Sequence, residues 1–340
     1  MSDATNDALR AEGVQSPVSA QVLPGVSIRN DSVLLSPTDD IDTLARDYGF
    51  VCHTARVAYH TAPWVPCAVP ELPDLTVVAE ELVRRVSGRK IVEASAPAPI
   101  LLRATPDELA TLSGWKIGDT RRRGKFLLTP LIGARGQDRT IAANAMLAGR
   151  FWLVPSRERV RARTGLRLTL DDGTDLRYVD REMLGKLYLL PGDRLGEIPG
   201  WIEMGPDADD PGLTLERFRQ RIRSHRGELK PLLRNNRFVA GIGNAYSDEI
   251  LWAARLAPFR RRTSLQPGDV DRLYHAMRSV LADAVDRLRV LVPPDIQTQH
   301  REFLKVHLRG GEPCPRCGRE LRQIGGREAT TFCRTCQPPV

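Results

Sequence analysis

Four cysteines near the C-terminal end constrain this chain more than any other feature: Cys314 and Cys317, then fifteen residues, then Cys333 and Cys336. Two C-x2-C pairs make two tight knuckles whose thiolates can converge on one ion. The spacing therefore predicts a zinc ribbon over residues 306–340, with one structural Zn2+ held by all four sulfurs. Disulfides are the competing use of such pairs, but residues 1–30 lack the basic-then-apolar pattern of a secretory signal, and a reducing compartment disfavours them. Cys52 and Cys67 stand alone and take no role. No apolar run approaches the ~18 residues of a membrane span, so the expected location is the cytoplasm, with no membrane partner.

Charge divides the chain unevenly. Residues 1–69 carry four arginines, no lysine and eight acidic residues, a net of −4. The remaining 271 residues carry 46 basic and 34 acidic side chains, a net of +12. A surplus of that size favours a polyanionic partner, because cations that neutralise phosphates release counterions. The first 69 residues, loose in Ser, Asp and Pro with one helical piece around Asp40 to Tyr48, read as a disordered extension or an untranslated upstream frame. A folded appendage is the other option.

The segment Val69-Pro70-Glu71-Leu72-Pro73-Asp74 opens an amphipathic helix, since Leu75, Val78, Ala79, Leu82 and Val86 follow at helical spacing and Gly88 stops it. It is either a proline-rich turn or a true N-terminus, exposed when an initiator Met read from a valine start codon at position 69 is removed. Short apolar runs then alternate with turns from Ile91 to Leu190, as in a β-sandwich or barrel of about 110 residues. Arg121-Arg122-Arg123-Gly124-Lys125-Phe126 places four cations at the entrance to one strand, either a solvated turn or a phosphate clamp. Residues 191–214, rich in Gly, Pro and Asp, read as a linker. Helical patterns run from Leu215 to about Leu291. Among them, Gly241-Ile242-Gly243-Asn244 forms a turn between two helices, the second starting near Asn244. The amides at that start can bind an anion, phosphate being the obvious one, although a packing turn would look the same.

The order of these elements resembles the formamidopyrimidine-DNA glycosylase and endonuclease VIII family: PELPD with its helix, RRGKF on a strand, a helix–turn–helix bearing GIGNAYSDE, and a four-cysteine ribbon. The resemblance covers residues 70–340. It implies an α+β fold: a β-sandwich catalytic domain with a leading helix over 70–190, a linker over 191–214, a helix-two-turn-helix domain over 215–292, and a zinc finger over 306–340. It implies a bifunctional DNA glycosylase and abasic-site lyase of base excision repair, a monomer on double-stranded DNA. Pro70 becomes the nucleophile, Glu71 the acid and base, Lys125 a phosphate and elimination contact, and Asn244 a phosphate clamp. Lys230, Arg122, Arg123 and Arg327 are further DNA contacts, and Leu147 the apolar wedge, with Met146 its neighbour. An α-amine has a reference pKa near 7.7–8.0, against about 10.4 for lysine, so part of it is nucleophilic at neutral pH.

The chain also departs from that family. Met183-Leu184 stand where 8-oxoguanine-type members carry Arg-Phe, and a methionine cannot hydrogen-bond a base edge. Residues 297–311 are too short for the glycine-rich loop that caps flipped 8-oxoguanine. Glu328 takes the place of a phosphate-binding arginine unless Arg327 substitutes after a one-residue shift. If Pro70 stays in a peptide link, its nitrogen is a tertiary amide, and the expectation becomes a non-catalytic DNA-binding protein. A zinc-ribbon transcription factor would explain the cysteines alone.

Overall fold

A computed structural model describes residues 69–134, 136, 138–192, 194–326 and 328–339, and the backbone of two short strands upstream. The chain divides into two compact units, Met1–Trp64 and Val65–Val340. The first contains an antiparallel ribbon of β1 (Ser27–Arg29) and β2 (Ser32–Leu34). The expected helical piece at Asp40 to Tyr48 lies outside the described residues, as does any statement on disorder there. The second unit carries everything that follows.

Helix α1, Leu72–Val86, begins with a proline in its first turn and a bond from the Glu71 amide to Asp74 Oδ2 at 2.8 Å. Its face of Leu75, Ala79, Leu82 and Val86 is buried in one core, together with Leu127, Ile141, Leu168 and Leu187 of the sandwich. Leu72, one turn earlier, is buried in a second core with Phe218, Phe238 and Tyr246. One helical turn thus separates two hydrophobic cores, and Pro70-Glu71 sit at their junction.

The sandwich comprises β3 (Ile91–Ser95), β4 (Leu102–Arg103), helix α2 (Pro106–Ala110), β5 (Lys116–Ile117), β6 (Arg121–Arg123), β7 (Phe126–Ile132), β8 (Asp138–Asn144), β9 (Gly149–Pro155), β10 (Thr164–Leu170), β11 (Thr174–Asp180) and β12 (Lys186–Pro191). One sheet has the order β3-β10-β11-β9; the other runs β4-β12-β8-β7-β5, with β6 on β7. Strand β11 has no continuous apolar run in the sequence. The reason is a buried polar set: Arg177 bonds Asp175 at 2.7 Å, so two charges enter the interior as a pair. The chain crosses between sheets at the turns 145–148 and 181–185. The pairs Asn144↔Lys186 and Asp180↔Gly149 bring both turns to the same end.

Residues 191–214 are packed rather than loose. Ile198 is buried against Phe126, Leu128 and Ala142, and Trp201 meets Phe126 edge-on at 5.6 Å. Four helices follow: α3 (Leu215–Arg223), α4 (Leu229–Leu233), α5 (Asn244–Ala254) and α6 (Pro267–Leu291). Helix α6 spans both cores, placing Leu273, Met277 and Leu281 in the helical one and Val285 and Leu288 in the sandwich one. The chain ends in an antiparallel ribbon of β13 (Arg322–Ile324) and β14 (Thr330–Phe332).

Candidate active site

At the junction of the cores, the Leu72 amide donates to the Gly241 carbonyl at 2.9 Å, tying the start of α1 to the turn before α5. Gly241 has φ +99°, and a Cβ there would lie 2.9 Å from Leu72 Cβ, so only glycine fits. The Glu71 carboxylate, 2% exposed, lies on the N-terminus of α5 and accepts from the amides of Gly243, Ala245 at 2.8 Å and Tyr246 at 3.3 Å. This corrects the sequence reading: the anion at that helix start is a side chain from 172 residues earlier, not a phosphate.

Lys125, on the turn between β6 and β7, reaches the same point. A Cβ built on Gly243 would lie 2.5 Å from Glu71 Cδ and 2.6 Å from Lys125 Nζ. Burial pulls the Lys125 ammonium below the usual lysine pKa, and the Glu71 carboxylate acts against that shift. Gly243→Ala should therefore displace both charged groups at once. We expect strand cleavage to fall roughly ten-fold or more, as sub-ångström misplacement of reacting groups does. A single-turnover rate within two-fold of the parent would show that this close approach is unimportant.

Several expected DNA contacts are engaged elsewhere. The Arg122 guanidinium makes paired bonds to Asp209 at 2.6 and 2.7 Å and lies 3.1 Å from Asp207. Arg123 bonds Asp207 at 2.8 Å and the carbonyls of Met204 and Gly205. Both arginines fasten the 191–214 segment to the sandwich, so their charge is spent on its carboxylates and carbonyls and not on a DNA phosphate. Lys230 is also turned inward: its ammonium donates to Asp248 Oδ1 at 2.7 Å and to the Ala329 carbonyl at 3.1 Å. Asn244 Nδ2 donates to that same carbonyl at 3.0 Å, and Asn244 Oδ1 has no partner among the described residues. Arg327 lies outside the described residues. Glu328 is exposed and accepts from Arg234 at 2.9 Å, so its charge is locally offset.

Leu147 is half-buried in the 145–148 turn beside exposed Met146. Ala145 and Gly149, which flank that turn, line a cavity of about 30 Å³ together with Pro70. The second turn at this end carries Met183 and exposed Leu184. Its amides at Glu182, Leu184 and Gly185 are all taken by the buried Asp180 carboxylate.

The sequence reading missed three supporting groups. Arg301, buried, makes paired bonds to Asp74 at 2.7 and 2.6 Å and lies over the Tyr246 ring, joining α1 to α5. Asp248 and Glu249 fasten the ribbon to α5: Asp248 accepts from Thr331 N and meets His307 Nδ1 at 2.8 Å, and Glu249 accepts from the amides of residues 305–307. Gln299 stands beside Pro70, bonded to Arg150. The acidic pair inside the GIGNAYSDE stretch was the only visible signal for any of these.

In the ribbon, the four cysteine sulfurs all lie within 4.8 Å of one another, with Cys314–Cys336 at 3.9 Å and Cys317–Cys333 at 3.5 Å. Four ligands at ~2.3 Å from one tetrahedral ion stand about 3.8 Å apart, so the group fits a metal ion. Trp252 Nε1 donates to Cys314 Sγ at 3.4 Å, a contact suited to a charged thiolate.

Comparison with known proteins matches residues 69–187 to the formamidopyrimidine-DNA glycosylase N-terminal domain and residues 204–291 to the formamidopyrimidine-DNA glycosylase H2TH domain. A formamidopyrimidine-DNA glycosylase of Pelotomaculum thermopropionicum is 32% identical over 280 residues, covering 79% of this chain and 99% of the relative. This chain belongs to the formamidopyrimidine-DNA glycosylase family. The enzyme of that name from Heliobacterium modesticaldum is 35% identical over 280 residues, and 100% of it is covered. Among solved structures, a Lactococcus lactis Fpg complexed with DNA containing an N7-benzyl-Fapy-dG matches with a TM-score of 0.72 at 26% identity, covering 79% of this chain and 100% of that one. A complex of the same protein with abasic-site DNA matches with a TM-score of 0.71 at 26% identity, covering 78% and 99%. In this glycosylase-family chain the match begins at residue 69, immediately before Pro70. Among the described residues no helix is long and apolar enough to cross a membrane.

Proposed function

We propose that this protein is a bifunctional DNA glycosylase and abasic-site lyase of base excision repair, active when its chain begins at Pro70. The observation that carries the reading is the convergence of Pro70-Glu71, Lys125 and the α5 N-terminus at one point between two cores. A free Pro70 amine attacks C1′ of the damaged nucleotide, the base departs, and an iminium links enzyme to sugar. Glu71, adjacent in sequence, protonates the sugar ring oxygen and then moves protons during elimination. Lys125 offsets phosphate charge. Asn244 Nδ2 spends one hydrogen on the Ala329 carbonyl, and its second N–H is the donor left for the phosphates beside the lesion.

Reaching C1′ requires the nucleotide to leave the stack, and Leu147 with Met146 fills the space. The neighbouring Met183-Leu184 turn has no free amide to read a base edge, which supports weak discrimination of the opposite base. The partner is double-stranded DNA, bound by a monomer at the nucleoid in the cytoplasm. Borohydride capture of abasic DNA by a chain beginning at Pro70 tests the whole reading. DNA binding without any covalent adduct would sink it. A second reading, a non-catalytic binder of damaged DNA, applies if the Val69–Pro70 bond is kept, because an amide nitrogen has no basic lone pair.

We assign Zn2+ to the thiolates of Cys314, Cys317, Cys333 and Cys336. Sulfur ligands, tetrahedral spacing and the absence of redox demands all favour it. The metal acts at a distance, because the ribbon it holds supplies the Ala329 carbonyl that Asn244 and Lys230 share. Stripping the metal should release one zinc per chain and weaken binding to abasic duplex by roughly ten-fold or more, since ligand loss unfolds such knuckles. Metal analysis alongside fluorescence anisotropy checks this; unchanged affinity in the stripped protein would refute a supporting role.

A further inference from the structure

We propose that Gln299 is a specificity-determining residue that donates a hydrogen bond from Nε2 to the damaged base as it leaves C1′. The inference rests on the glycosylase reading above.

Gln299 Nε2 donates to the Val69 carbonyl oxygen at 3.4 Å. That oxygen is two bonds from the Pro70 nitrogen. In the covalent step, the carbon bonded to Pro70 nitrogen becomes C1′ of the substrate, so the Val69 carbonyl carbon occupies the place of C1′. The Val69 oxygen then stands in for an electronegative atom attached to, or adjoining, that carbon. Gln299 is thus already aimed at the bond that must break.

The amide has a defined orientation. Arg150 donates to Gln299 Oε1 at 2.7 Å and to the Gly149 carbonyl at 2.8 Å, so the oxygen end is fixed on the β9 strand and the NH2 end faces Pro70. Pro70, Gln299 and Arg150 line one cavity, and its other walls include Leu75, Leu127, Phe151 and Ile296. The lining also carries the polar groups of Asp74 and Thr298, and the cavity's volume of about 30 Å³ is too small for a base, so Gln299 meets the base from beside Pro70 and not by enclosing it. Glu71, already bonded on the α5 side, is left for the ring oxygen.

The residues 65–340 form one compact unit, and full-length relatives correspond to this part alone, so a chain started at Pro70 is the appropriate protein for the test. Gln299→Leu and Gln299→Glu are compared with the parent on two duplexes, one bearing a formamidopyrimidine and one bearing a bare abasic site. Single-turnover base excision should fall roughly ten-fold or more in both variants, the loss of one hydrogen bond to a charge-bearing group. Borohydride trapping on abasic DNA, where there is no base to hold, should stay within two-fold. A parallel fall on both substrates would make Gln299 structural and overturn the proposal; so would no fall on either. A parent that traps abasic DNA but leaves the formamidopyrimidine in place sinks this inference alone, whereas a parent inert on both sinks the glycosylase reading and this inference with it.

Discussion

A chain beginning at Pro70 should form a borohydride-stable adduct with abasic DNA, and the 340-residue chain with its Val69–Pro70 bond intact should form none. The physical difference is one nitrogen. As an N-terminal secondary amine it has a lone pair, and with a reference pKa near 7.7–8.0 a usable fraction is unprotonated at neutral pH. As a proline amide its lone pair is delocalised into the carbonyl, and no iminium can form. Pro70 is buried, and its position is fixed by the Leu72 to Gly241 bond, so freeing it should not alter its placement. Pro70→Gly in the shortened chain keeps an amine but loses the ring that orients it. We expect trapping to drop on the order of 10²-fold, the scale of a displaced nucleophile. Intact mass of the native protein gives the complementary measurement. A trapped adduct on a chain whose mass retains Val69 would refute the assignment of Pro70 as nucleophile.

What the sequence could disclose depended on range. The four cysteines declare themselves because both ligand pairs are local, two residues between each knuckle's sulfurs. The leading helix and the α5 start were legible for the same reason, from periodicity and glycine placement within a dozen residues. Electrostatic partners were not. Arg122 and Arg123 look like a phosphate clamp until Asp207 and Asp209 are seen against them, some 84 and 87 residues downstream. Lys230 on α4 is claimed by Asp248 on α5, a contact between helices that no periodicity reveals. Strand β11 escaped because its buried residues include charges that only pairing makes tolerable. Phosphate was the expected anion at α5 because a carboxylate 172 residues away has no local signature.

That carboxylate leads to the second large effect. Glu71→Gln should lower base excision by about 10²–10⁴-fold, the range for loss of a positioned general acid or base. It should also reduce stability measurably. The α5 N-terminus offers Glu71 three amide donors, at Gly243, Ala245 and Tyr246, and both carboxylate oxygens accept. A glutamine has a single acceptor oxygen, and its NH2 would face amides that also donate. At least one buried amide is then left unpaired, at a cost of about 1–3 kcal/mol, and the positive end of the helix loses its negative partner. Lys125, next to the same carboxylate, loses the charge that counters its burial, so its pKa should fall further below the usual lysine value. Two measurements separate the contributions. Thermal melting reads the lost helix contact, and trapping at saturating abasic DNA reads the chemistry. Because Pro70 and the ribbon are untouched, DNA affinity should hold within a few fold while turnover collapses. A Glu71→Gln protein that melts several degrees lower yet excises at the parent's rate would leave Glu71 as a helix plug only, and the proton transfers would have to be given to another group.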